Sequence, residues 1–232
     1  MKQLDLRLLS AGLVTLLLAG CSGASSTESP QKTESETSAV SNEETSSTEE
    51  DFRKLKLADF IVFEGDETTW AEVDGVLRTT GTPRGYVHSK ESFGNFTLRC
   101  DYLLEPSEAR KNNPEKSNTG FMLVIQEPHK IWPRSLEVQG RWEMMGGINP
   151  NGKLPAPVIQ DHPDVREKVR KPVGEWNTVE ITMKDGAITS RLNGEIVSTS
   201  EAAEETAGQI GLQAEGDAVQ FRNVRIRVDG GM

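Results

Sequence analysis

An all-β sandwich or barrel is the fold class this sequence predicts, on three observations. Along residues 52–232 the apolar side chains recur with a period of two rather than 3.6. Asp185-Gly186 and Asn193-Gly194 fall between alternating runs, and these dipeptides are the strongest short-range hairpin signals. Short apolar runs follow one another at regular spacing with Gly-rich turns between them, the pattern of packed antiparallel sheets.

Taken in order, the chain opens on a different kind of segment. Lys2 and Arg7 give a positive start, Leu8 to Leu18 is a short apolar run, and Leu18-Ala19-Gly20-Cys21 closes it with small residues. That succession defines a secretory signal over residues 1–20. Its apolar run falls short of the roughly 20 residues a spanning helix needs. Leu-Ala-Gly-Cys matches a lipobox, so cleavage before Cys21 and lipid on Cys21 are expected. Two acyl chains anchor stably where one does not. The expected location is therefore the cell envelope. Ser22 carries no retention aspartate, which favours the outer membrane in a cell that has two.

Residues 21–51 are nearly all Ser, Thr, Glu and Gly after the cysteine. Such a composition buries too little apolar surface to offset its ordering entropy, and a disordered spacer is expected. What remains, 52–232, is the length of one domain. Cys21 goes to lipid, so Cys100 has no partner within the chain. Phe96, Leu98, Cys100 and Tyr102 alternate onto one face, which makes Cys100 a small core residue. The net charge is −10 and no Lys/Arg cluster stands out, so nucleic acid is not an expected partner.

The strands follow. Phe93 to Leu104, Asn118 to Gln126, Ser135 to Gln139, Trp176 to Met183, Ala187 to Leu192, Gly208 to Gln213 and Ala218 to Val228 all read as β. In the last, the inward set shifts between Phe221 and Val224, which predicts a bulge near Asn223. The longest helix candidate is Glu201 to Thr206. Two irregular stretches, Pro106 to Lys116 and the proline-rich Asn149 to Pro172, are expected at one rim, where loops frame a ligand. The three histidines, His88, His129 and His162, lie in or beside predicted loops and read as surface residues.

Alternation also nominates a site. Leu136 and Val138 should face the core, which sets Glu137 and Gln139 side by side on the other face of their strand. Arg99 and Asp101 likewise point away from their core face. In one sheet, these groups would floor a cleft suited to sugar hydroxyls; a plain solvated face with ion pairs is the other reading of the same spacing.

Six short motifs in order then resemble the 3-keto-disaccharide hydrolase domain family: Asn118-Thr119-Gly120-Phe121, Leu136-Glu137-Val138-Gln139, Gly174-Glu175-Trp176-Asn177, Leu192-Asn193-Gly194, Gly211-Leu212-Gln213 and Phe221-Arg222-Asn223-Val224-Arg225-Ile226. The resemblance spans roughly residues 60–228. It implies a concanavalin-like jelly roll with the cleft on one sheet, and cleavage of glycosides already oxidised to a ketone at C3. It makes Glu137 the expected base for the C2 proton. Gln139, Asn118, Arg99 and Asp101 become expected substrate contacts, with Trp142 and His162 as stacking wall and rim. A divalent metal on the ketone oxygen is one way to stabilise the enolate. The chain departs from the family at Gly140-Arg141-Trp142, where many members carry an acidic residue. Near Val124 and Glu215 it lacks an arginine and a histidine that relatives often carry. A non-catalytic carbohydrate-binding lipoprotein on the same fold is the alternative function.

Overall fold

The computed structural model describes residues 51–230. The expected export signal, Cys21 and nearly all of the expected spacer lie outside the described residues. Among the described residues, fifteen strands form two antiparallel sheets. In spatial order the larger sheet contains β10 (Ile159–Asp161), β13 (Glu195–Ser200), β12 (Ala187–Leu192), β11 (Asn177–Lys184), β6 (Phe96–Leu104), β15 (Val219–Val228), β4 (Val76–Thr79) and β3 (Trp70–Val73). A ninth strand, β1 (Arg53–Lys54), pairs with β15. The smaller runs β2 (Phe60–Phe63), β5 (Gly85–Phe93), β14 (Gly208–Ala214), β7 (Gly120–Ile125), β8 (Ser135–Gln139) and β9 (Ile148–Asn151). This is the two-sheet sandwich that the alternation predicts.

Alternation decides which side chains meet. On β6, Phe96, Leu98, Cys100, Tyr102 and Leu104 are buried, with Val179, Ile181 and Met183 of β11 and Phe221 and Ile226 of β15 beside them in the core. Phe121, Leu123, Leu136, Val138 and Leu212 close that core from the smaller sheet. Full burial of each large apolar side chain contributes about 1.5–3 kcal/mol. A slip of one residue would turn such a set to water, so the core holds the register.

The smaller sheet is unusual because its outer face is partly buried too. Met122, Tyr86 and Ile125 form a second apolar cluster there, with Phe63 against it. All six residues of β7 are therefore buried.

The turns follow from local chemistry. Asp185 and Gly186 have φ of 50° and 84°, and Asn193 and Gly194 have 50° and 96°. Two successive positive values make the type I′ turns that suit strand twist. Asn223 sits at φ 53°, where the β15–β6 register shifts between Arg222 and Arg225, so the bulge lies where the shift of inward residues placed it.

Two expectations fail. Glu201 to Thr206 contains no helix, whereas α1 (Pro163–Val169) forms inside the proline-rich stretch. Pro163 stands in the first turn, where a missing N–H costs nothing. Val165 and Val169 lie four residues apart on one face and pack on the core. That stretch also does not sit at one rim. Its start forms β9 of the smaller sheet, and its middle forms β10 at the edge of the larger.

Candidate functional site

The outer face of the smaller sheet carries a cleft of about 430 Å³, lined by Arg84, Asn118, Trp132, Glu137, Gln139, Arg141, Asn151 and Glu215. It is built on three neighbouring strands. β7 runs in the middle, with Gly120 opposite Gln139 of β8 and Phe121 opposite Leu212 of β14. Because Leu136, Val138 and Leu212 take the core side, Glu137, Gln139 and Gln213 are left on the cleft side.

Gly120 is the centre of this floor. A Cβ on Gly120 would overlap both Gln213 Oε1 and Glu137 Oε1. The two side chains therefore lie over bare backbone that only glycine leaves open.

Glu137 is 5 % exposed. Its Oε2 accepts a hydrogen bond from Asn151 Nδ2 at 2.9 Å, while its Oε1 has no hydrogen-bond partner. Burial raises its pKa; the hydrogen bond from Asn151 and the charge of Arg141 offset part of that rise. Both amide atoms of Gln213 are also buried without partners. Polar atoms left this way are costly unless a ligand completes them.

Glu215 follows β14 and is 9 % exposed. Asn118 Nδ2 donates to its Oε2 at 2.7 Å. Asn118 is held in turn by Asp217, which accepts from the Asn118 backbone N–H at 3.1 Å and grips Arg110 at 2.8 and 3.0 Å. The Glu215 carboxyl is pushed up to about 7, first by burial and next by the charge of Glu137. Gln139 Oε1 accepts from the Arg141 backbone N–H at 2.8 Å, so it shapes the corner that brings Arg141 into the cleft. The cleft thus holds two carboxyl groups whose pKa burial raises, several amides and two guanidinium groups.

Of the residues nominated from sequence, Glu137, Gln139 and Asn118 share this cleft. Arg99 and Asp101 do not: they lie on β6, in the other sheet. There Arg99 pairs with Glu180 at 2.5 Å, and Asp101 binds Thr178, Asn223 and Arg222. Alternation gives the outward face of a strand but not the sheet to which the strand belongs. Trp142 is committed elsewhere. Its Nε1 donates to the Lys171 carbonyl at 2.9 Å, and the Arg170 guanidinium covers its ring at 3.8 Å. The aromatic side chain at the cleft is Trp132, 42 % exposed. His162 precedes α1 and does not line the cleft.

His88 and His129 also correct the sequence reading. His88 is 3 % exposed in β5, and its ring meets that of His129 edge to face at 4.1 Å. Burial and the second imidazole lower the His88 pKa. Among the described residues, no group of three or more His, Cys, Asp or Glu side chains is placed to hold a metal ion. Two carboxyl groups facing two guanidinium groups make a donor set that does not suit a divalent cation.

Arg84, Trp132, Arg141, Asn151, Gln213 and Glu215 were missed from sequence. A signal existed for two of them. With Leu212 inward, alternation turns Gln213 outward, and Glu215 follows two residues later on the same side. The others enter from loops or from a neighbouring strand.

The fold is shared with solved structures. A candidate glycosyl hydrolase from Parabacteroides distasonis is 22% identical with a TM-score of 0.56, covering 76% of this chain and 98% of its own. The carbohydrate-binding module CBM66 from Bacillus subtilis is 14% identical with a TM-score of 0.51, covering 73% of this chain and 95% of its own. At these identities the likeness is one of fold. No protein of curated function matches the chain significantly. The model of the 3-keto-alpha-glucoside-1,2-lyase-like domain, in contrast, matches residues 54–227, and the chain belongs to that family.

Proposed function

We propose that the protein is a lipid-anchored hydrolase of the cell envelope that cleaves 3-keto-glycosides. One observation carries the reading: a buried carboxylate, Glu137, presents an oxygen without a hydrogen-bond partner to a cleft of sugar-binding character. The family name supports the substrate class, since it speaks of lyase chemistry at a 3-keto-glucoside.

The chemistry follows from the ketone. A carbonyl at C3 acidifies the proton on C2, which the Glu137 carboxylate takes. The electron pair forms an enolate, returns, and expels the oxygen at C1, leaving a C1–C2 double bond. Water then adds at C1, and the proton returns from Glu137 to C2. The guanidinium groups of exposed Arg84 and half-buried Arg141 supply positive charge against the enolate oxygen. Gln139 and Asn118 are proposed contacts to hydroxyls, and Trp132 offers a ring face at the cleft. Export and lipid on Cys21 place this activity at a membrane surface.

The test is hydrolysis of a 3-keto-glucoside by the purified full-length protein beside Glu137→Gln. Turnover in the parent should fall about 10³-fold in the variant, and equal activity in both removes Glu137 as the base. Exposed Trp132 favours a second reading, a sugar-binding protein without catalysis. Sugar binding without turnover in the parent would establish that reading instead.

A further inference from the structure

We propose that Glu215 is the proton donor to the departing glycosidic oxygen, an assignment that rests on the 3-keto-glycoside reading of the cleft. The Glu137 oxygen lies over the bare backbone of Gly120, and Asn118, two residues earlier on the same run of chain, holds the Glu215 carboxyl. Both carboxyl groups line the one cleft. Two carboxyl groups so placed can attend opposite ends of one C2–C1–O1 unit.

Their surroundings divide the labour. Burial raises the pKa of both carboxyl groups and the charge of Arg141 offsets part of the rise in each; at Glu215 the charge of Glu137 adds to the rise and helps keep the proton there. One group is set to accept a proton and the other to give one. As the C1–O1 bond breaks, the Glu215 proton passes to O1 and the alcohol leaves neutral. In the second half the Glu215 carboxylate takes a proton from water as its oxygen bonds C1, and Glu137 returns the first proton to C2. Both carboxyl groups end as they began.

This division of roles has a signature that a merely structural Glu215 lacks. An alkoxide leaves poorly without a proton, whereas a nitrophenolate leaves unaided. Glu215→Gln is therefore compared with the parent on methyl 3-keto-glucoside and on 4-nitrophenyl 3-keto-glucoside. On the methyl glycoside the first-turnover release of the alcohol should fall about 10²-fold or more, while the first-turnover release of nitrophenolate, which precedes water addition and needs no proton, should run nearly as in the parent. That retained activity also shows that the variant folds. In the parent, kcat/KM on the methyl glycoside should decline as pH rises through about 7, and this limb should vanish in the variant.

Equal losses on both substrates, or none on the methyl glycoside, would overturn the assignment while leaving the enzymatic reading intact. A parent inert toward both substrates would bring down the reading beneath it, and the assignment with it.

Discussion

The residue that most constrains the site is Gly120, the one without a side chain. Its Cα lies beneath Glu137 and Gln213, two groups that must stay close if one is to act on a sugar the other holds. Gly120→Ala should displace both and lower turnover about 10²-fold, because small misplacements at reacting groups are felt at that level. The retained fold is checked by circular dichroism, since the added methyl meets flexible side-chain ends as well as the crowded floor. The same scale explains the cleft's partial visibility in sequence. Glu137 and Gln139 could be read because Leu136 and Val138 declare the core side of a short strand. Arg141 could not, because its position depends on a corner closed by its own backbone N–H to Gln139. Trp132 comes from a stretch between β7 and β8 where no period exists to read.

At the scale of elements, α1 shows how a helix can hide among prolines. It also has a mechanical duty. Arg166 on α1 is 4 % exposed; its Nε donates to the Met145 carbonyl at 2.7 Å, and its guanidinium pairs with Asp161 of β10. One buried side chain thus ties the edge of the larger sheet to the loop between β8 and β9. Removing Arg166 leaves the buried Met145 carbonyl without its partner while Asp161 turns to water, so Arg166→Ala should lose about 1–3 kcal/mol in urea unfolding. Arg166→Lys should recover only part of it, since a single ammonium cannot reach both partners as the fork does. Hairpins at Asp185-Gly186 and Asn193-Gly194 were legible because two adjacent residues decide them. The membership of β6 in the larger sheet was not. It depends on β6 pairing with β11 and β15, from residues far along the chain. Arg99 and Asp101 were therefore given the right face of the wrong sheet.

At the scale of the whole molecule, the two sheets divide their tasks. The larger one turns outward a field of paired charges, Arg99 with Glu180, Arg222 with Asp101 and Arg227 with Asp229. These pairs are partly buried at the surface, where an ion pair contributes about 0–1 kcal/mol. The smaller sheet carries the cleft on its own outer face. Attachment through Cys21 is proposed from the sequence motif. Cys21→Ser should move the protein from the membrane pellet to the soluble fraction after cell disruption, as read by immunoblot. An unchanged distribution would remove the lipid anchor from the account.

The way the chain enters the domain has a consequence under load. Phe52 lies beneath the guanidinium groups of Arg99, Arg227 and Arg225 at 4.5, 5.3 and 5.7 Å. Arg53 grips Glu91 at 2.8 Å, and Arg53, Lys54 and Leu55 then bond along β15. A tug arriving through the residues before Phe52 must first pull an aromatic ring from under three cations, then break an ion pair, then peel a two-residue strand. These fastenings yield one after another, like stitches. Phe52 and β1 are fastened to the larger sheet, and of these fastenings only the Arg53–Glu91 pair reaches the sheet of Glu137 and Glu215. The first stitch can therefore give way without slackening the grip on a bound sugar.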